Sequence, residues 1–185
     1  MSDIVQSTAE QFLTFLRPIE RELQGYARRL LWEPQSLQDV LQNAVLRAYG
    51  AFDRYHEDGS FRAWMFKILT NEIFTLNRKH SRRAKFEFQL EPDELAELPH
   101  LTDADSWLDQ PQAWAEAIDD RISVALRVLN DSERAVLLLR GVGGFRYQEI
   151  ANTLGMPLGS VMGYLSRARA KMRQGLGQVY REALP

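Results

Sequence analysis

Four cations crowd one stretch near the C-terminal end of this 185-residue chain: Arg167, Arg169, Lys171 and Arg173. Guanidinium and ammonium groups at that density can neutralise phosphates, and a guanidinium can also give two parallel hydrogen bonds to one base edge. Val161, Leu165, Ala168 and Met172 recur among them at helical spacing, which predicts a helix with one apolar face and the four cations off it. A second basic group, Arg78, Lys79, His80, Arg82, Arg83 and Lys85, lies at the end of another apolar run. Bond-making chemistry has no such support. The absence of cysteine excludes disulfides, thiolate zinc sites and a cysteine nucleophile. His56, His80 and His100 are far apart and form no ligand-spaced pair, so neither a metal site nor a cofactor is expected. No nucleophile–base pair or phosphate loop is present. Gly141, Gly143 and Gly144 follow no strand pattern and make no dinucleotide fingerprint. Binding is the expectation, and an enzyme is not.

The elements that must position these cations are legible around them. Ile150, Ala151 and Leu154 give a short helix from Tyr147, Gly155 can take the positive φ that stops it, and Pro157 is tolerated only where a new helix begins. A short helix, a glycine turn and a basic second helix describe a helix-turn-helix that binds DNA, although an αα-hairpin in a bundle would share the pattern. Upstream, Asn130 followed by Glu133 is a capping-box start for a helix over Ala135–Arg140, and the tail from Gly175 to Pro185 is expected to fray.

The first half is also helical. Phe12, Phe15, Leu16, Ile19, Leu23, Tyr26 and Leu30 follow a helical step, with Pro18 as a kink or break. Ser36 is positioned to cap a second helix whose apolar positions are Leu37, Val40, Leu41, Ala44, Val45, Ala48 and Tyr49. Asp39, Gln42, Asn43 and Arg47 fall on its other face. A polar loop around Tyr55–Ser60 leads into a third helix carrying Phe61, Trp64, Met65, Ile68, Leu69, Ile73 and Leu76, with Trp64 expected in the core. No strand pattern appears. The fold class expected is all-α: two small helical domains over 1–85 and 112–185, joined by an acidic linker over 86–111.

Charge is divided in the same way. The formal net charge of −2 separates into +2 over residues 1–84, −10 over 85–120 and +6 over 121–185. Basic ends suit a polyanion, and the acidic middle would repel nucleic acid or mimic it. No stretch approaches the ~20 apolar residues of a membrane span, and the N-terminus has no apolar signal core, so a cytoplasmic protein with no membrane partner is expected.

Two blocks carry a resemblance. LNDSERAVLLLRGVGGFRYQEIANTLGMPLGSVMGYLSRARAKMR resembles domain four of bacterial extracytoplasmic-function sigma factors of the sigma-70 family, and SLQDVLQNAVLRAYGAFDRYHEDGSFRAWMFKILTNEIFTLNRK resembles their domain two. The resemblance implies a factor that binds core RNA polymerase and recognises and opens promoter DNA, the first domain taking the −10 element and the second the −35 element. It places Asp39, Gln42 and Asn43 against the β′ clamp helices, Asn43 standing where the family usually has glutamate, and it implies a contact of the second domain with the β flap. It places Tyr55, His56 and Ser60 in a loop that captures a flipped base, Asn71 at a −10 base edge and Arg78, Lys79, Arg82 and Arg83 on phosphates. At the −35 element it implies Ser160, Met162, Gly163, Tyr164, Ser166, Arg167, Arg169 and Lys171. Three of these depart from the family's basic, serine and arginine residues: Met162, Gly163 and Tyr164, of which Met162 could meet a thymine methyl and Tyr164 a phosphate. An anti-sigma partner is also implied. A dimeric helix-turn-helix regulator and a polymerase-binding decoy remain the alternatives.

Overall fold

The computed structural model describes residues 2–55, 60–85 and 125–182, with side chains over 8–55, 60–80 and 125–174. The acidic linker, residues 112–124 of the second expected domain and the loop residue His56 fall outside the described residues. Contacts divide the chain into two units, Met1–Thr75 and Leu76–Pro185, each built from α-helices. Among the described residues no strand occurs.

In the first unit α1 spans Ser2–Leu16 and α2 spans Glu20–Leu30. The break between them is the 3₁₀ turn Arg17–Ile19, where Pro18 sits in the first turn. Proline lacks the N–H an α-helix would need there, so the chain changes direction without leaving an orphan donor. α3 spans Leu37–Gly50, and α4 runs from Phe61 to Lys85, its residues from Leu76 onward falling in the second unit. Ser36 occupies the cap position of α3, but its side chain makes no capping bond. It ends a 3₁₀ turn over Pro34–Ser36, so the capping role expected of its hydroxyl is not filled. Ser60 does cap: its Oγ accepts from the Ala63 amide at 3.3 Å and its carbonyl from Trp64 at 3.0 Å.

The interior of this unit has two parts. Leu23, Ala27, Leu30, Val40, Ala44, Met65, Leu69 and Ile73 form an aliphatic layer between α2, α3 and α4. Beside it Phe12, Phe15, Phe52, Tyr55, Phe61 and Trp64 make an edge-to-face and stacked ring cluster. Trp64 is half-buried rather than in the core; its ring packs 5.2 Å from that of Tyr55 and 5.6 Å from that of Phe61. Two ion pairs stitch the outside, Arg62 to Glu22 at 2.7 Å and Arg47 to Glu72 at 2.9 Å.

A polar contact lies among these apolar residues. The Tyr26 hydroxyl is 2.8 Å from Thr70 Oγ1, and Thr70 donates to the Phe66 carbonyl at 2.7 Å. The threonine proton is therefore committed, and Tyr26 is the donor in the first bond. Burial pushes the Tyr26 phenol well above its ordinary value of 10.0.

In the second unit α5 spans Asp131–Gly141, α6 spans Tyr147–Leu154 and α7 spans Leu158–Glu182. α7 therefore continues through Gly175 and Gly177 where a frayed tail was expected; each glycine costs only ~1 kcal/mol in a helix interior.

These interiors give an ordered set of stabilities. Leu69→Ala should lower unfolding free energy by about 2–5 kcal/mol, and Tyr26→Phe by about 1 kcal/mol, in urea titrations at neutral pH. The gap between wild type and Tyr26→Phe also has a pH signature. A phenol whose folded pKa is raised contributes stability that is present below 10.0 and declines as the unfolded tyrosine ionises. The wild-type advantage should therefore shrink above pH ~10.

Candidate nucleic-acid interface

Three exposed surfaces collect the residues singled out above. On α3, Asp39, Gln42 and Asn43 are all exposed. Leu46 and Tyr49 extend the same row by the next helical steps, and Leu46 is 60% exposed. A single exposed leucine is ordinary by itself; here it adds apolar area to a polar row. The signal in the sequence is that Leu46 lies out of register with Val40, Ala44 and Ala48. Beside this row an open groove of about 390 Å³ is lined by Leu16, Leu23, Leu41, Gln42, Val45 and Leu46.

On α4, Lys67, Asn71, Thr75, Arg78 and Lys79 are exposed at steps that keep them along one side. Thr75 turns its hydroxyl back to the Asn71 carbonyl at 2.8 Å, which leaves the Asn71 amide side chain outward and uninvolved in that bond. Arg82 and Arg83 belong to the same helix, but their side chains lie outside the described residues. Tyr55 is half-buried, its ring stacked on Phe52 at 6.0 Å and edge-on to Phe61 at 5.5 Å.

The third surface is the pair α6–α7. Gly155 has φ +65° and ends α6, and the Met156 amide donates to the Ala151 carbonyl at 3.0 Å, closing a six-residue helix-ending loop. Pro157 then offers its carbonyl to Ser160 and Val161, starting α7. The loop before α6 is fixed from below: Arg140 donates to the Phe145 carbonyl at 3.2 Å and lies over the Tyr147 ring at 5.5 Å. A Cβ on Gly143 would sit 2.7 Å from the Leu139 carbonyl oxygen, so only glycine fits there.

Ile150 and Ala151 of α6 and Val161, Leu165, Ala168 and Met172 of α7 are buried, as their spacing predicts. The outer side of α7 presents Met162, which is 49% exposed, with Gly163, Ser166 and Arg167 half-exposed next to it. Ser160, Tyr164 and Lys171 follow along one flank. Arg169 does not belong to this side. It is 4% exposed, because four residues after Leu165 and three before Met172 it shares their inward direction. The expectation that it faces the −35 element is corrected on that ground.

The electrostatics of α7 are set from α5. Asn130 Oδ1 accepts from the Glu133 amide at 2.9 Å, and Glu133 Oε2 accepts from the Asn130 amide at 3.1 Å, which is the capping box the sequence predicts. The same carboxylate is 1% exposed and takes Lys171 Nζ at 3.1 Å and Arg167 Nε at 3.6 Å. Arg167 also lies 4.8 Å over the Tyr164 ring. Burial lowers the Arg134 guanidinium to about 10, with the neighbouring Asp131 opposing the shift and Arg127 adding to it.

These features define an all-helical protein with a helix-turn-helix whose second helix is open to solvent, together with a separate exposed polar and apolar face on α3 and a polar stripe on α4. Two family models match it in that order: sigma-70 region 2 over residues 15–83 and sigma-70 region 4 over residues 119–172. The RNA polymerase sigma-E factor of Streptomyces avermitilis is 31% identical over 168 residues, covering 90% of this chain and 85% of that one. The ECF RNA polymerase sigma factor SigG of Mycobacterium tuberculosis is 29% identical over 177 residues, covering 88% of this chain and 48% of that one. The chain thus spans about half the length of the mycobacterial relative. The fold is that of the sigma factor RpoE solved in complex with the anti-sigma factor NepR from Bartonella quintana, with a TM-score of 0.70, 23% identity and coverage of 91% and 98%. The chain belongs to the extracytoplasmic-function group of the sigma-70 family.

The turn of the helix-turn-helix is the most exacting local element. Gly155→Ala should lower the thermal midpoint, by about 1–2 kcal/mol of unfolding free energy, because a Cβ at φ +65° meets the following carbonyl. Gly155→Asn should recover part of that loss in the same melts, since asparagine tolerates the left-handed region.

Proposed function

We propose that this protein binds core RNA polymerase and directs transcription from particular promoters, as a non-enzymatic initiation factor acting in the cytoplasm. The observation that carries this reading is the presence in one chain, in family order, of both sigma regions, each with several of its candidate contact residues on an exposed helical side.

Asp39, Gln42 and Asn43 dock on the β′ clamp helices, and the exposed Leu46 and Tyr49 add apolar area to that face. A polar row beside a leucine suits an interface that needs both register and desolvated contact. Tyr55 and Ser60, with His56 between them in sequence, form one wall of the pocket for a flipped base of the −10 element. The ring cluster under Tyr55 supports this role, because a stacking platform must not yield when a base rests on it. Asn71 meets a −10 base edge, while Arg78, Lys79, Arg82 and Arg83 neutralise phosphates. In the second domain α7 enters the major groove at the −35 element, with Ser160 at its start and Met162, Gly163, Ser166 and Arg167 towards the bases. That domain also meets the β flap. An anti-sigma protein is a further partner, supported by the complex in which the similar RpoE chain was solved.

Mixing the purified chain with core polymerase and a promoter library, then mapping start sites, tests the reading. Transcripts from a defined promoter class, absent without the chain, are expected. Duplex binding that needs no polymerase would instead make it a conventional regulator, and polymerase binding without transcripts a decoy.

Two sets of variants localise the surfaces. Asp39→Ala combined with Leu46→Ala should weaken polymerase binding at least tenfold, about 1.4 kcal/mol, with an unchanged thermal midpoint because both residues are exposed. Arg78→Ala should weaken promoter binding by the holoenzyme at all sequences alike and reduce the slope of log K against log salt by about 0.7–0.9.

A further inference from the structure

Two of the three residues that set α7 apart in the sequence comparison above, Gly163 and Tyr164, lie against Arg167. Tyr164 lies one turn before it on the same helix, with its ring 4.8 Å from the guanidinium carbon. Gly163 lies four residues before it, and a Cβ there would be 3.5 Å from Arg167 Nη1 and 4.0 Å from Nη2. The guanidinium therefore extends across the bare backbone at Gly163, towards the outer side of the helix that Met162 also occupies. From below, the Glu133 carboxylate faces Arg167 Nε at 3.6 Å. That carboxylate cannot swing away, because the capping box and Lys171 hold Oε2.

We infer that Tyr164 and Glu133 are positioning residues for Arg167: the tyrosine ring and the buried carboxylate fix the guanidinium plane, so that its two Nη groups are presented to a single guanine of the −35 element. This rests on the proposed reading of α7 as the −35 helix and deepens it by assigning the specificity to a braced arginine. An unbraced arginine on a helix surface samples many rotamers, and it must lose that freedom each time it pairs with a base. A ring beneath it and a carboxylate at Nε remove most of those rotamers before DNA arrives, while the Nη edge stays available for a bidentate contact. The tyrosine acts here through its ring and not through its hydroxyl. This differs from the phosphate bond expected for that residue from sequence.

The difference can be measured. Holoenzyme formed with wild type, Arg167→Ala, Tyr164→Phe or Tyr164→Leu is presented with promoters randomised across the −35 element. Transcript yield per sequence is then counted at two salt concentrations. Wild type should prefer G·C at one position, and Arg167→Ala should abolish that preference and so identify the position. Tyr164→Leu should reduce the preference at that position about five- to tenfold and leave the other positions unchanged. Tyr164→Phe should stay within about twofold of wild type at every position. Thermal melts of the Tyr164 variants keep folding defects apart from recognition, and because Tyr164 is partly exposed the melts should match wild type.

Several results would overturn the inference. Arg167→Ala that leaves all preferences intact would remove the arginine from base contact. Tyr164→Leu indistinguishable from wild type would remove the brace. A uniform loss in Tyr164→Phe with a shallower salt dependence would restore the phosphate bond. Each of these leaves polymerase-dependent transcription standing. The underlying reading fails separately, when wild type shows no −35 preference or no polymerase-dependent transcript at all.

Discussion

The Glu133 carboxylate is the interaction on which the second domain depends. An ionised carboxylate with 1% exposure would be costly by several kcal/mol if left alone. It is not left alone. One oxygen closes the capping box of α5 and receives Lys171, and the other faces Arg167. Two cations from α7 and a backbone amide from the start of α5 thereby share one buried acceptor. The cost of desolvating the charge is offset only when α7 lies in its observed register against α5. A shift of α7 by one residue would turn Lys171 and Arg167 by ~100° and leave the carboxylate without them. Burial of Val161, Leu165, Ala168 and Met172 favours packing in general; the carboxylate selects this packing.

The first domain achieves the same end differently. A neutral polar contact, Tyr26 to Thr70, lies inside its described part, and its aromatic cluster fixes geometry by edge-to-face contact. Such pairs add about 0.5–1.5 kcal/mol each beyond the area they bury. A ring supported by Phe52, Phe61 and Trp64 has few rotamers left. On the proposed reading, in which a flipped base meets Tyr55, the rigidity that stabilises the domain also prepares the stacking surface.

Most of this architecture was legible in the sequence because helical periodicity is a local signal. The break at Pro18, the capping box from Asn130 to Glu133, and the Gly155–Pro157 turn each rest on residues within one or two turns of one another. What was not legible depends on residues brought together from afar. Nothing local at Glu133 announces a partner 38 positions later, so Lys171 reads as a free cation until the fold supplies the carboxylate. Arg169 reads as surface because arginine usually is, yet its spacing from Leu165 and Met172 already places it inward. There the helical step is the better guide than residue type. Ser36 reads as a cap by type alone, and the 3₁₀ turn that precedes α3 uses its backbone instead. Leu46 carries no signal by itself, because single exposed leucines are common. It becomes informative only in the row with Asp39, Gln42 and Tyr49.

The pairing of Lys171 and Arg167 with an internal carboxylate has a consequence for how such a domain can bind DNA. A phosphate attracts a lone cation far more strongly than one whose charge is already compensated a few ångströms away. α7 therefore holds its cations in place partly at the expense of their pull on the backbone, and Met162 and Gly163 contribute no charge to replace it. A helix built in this way favours orientation over affinity. That balance would be a weakness in a protein that must find its duplex unaided. It is workable in one whose other domain and whose polymerase supply most of the grip, since a second contact made within an already assembled complex needs little affinity of its own. On the proposed reading, the weak charge and the rigid geometry of α7 belong together: the domain selects among sites at which the holoenzyme is already held.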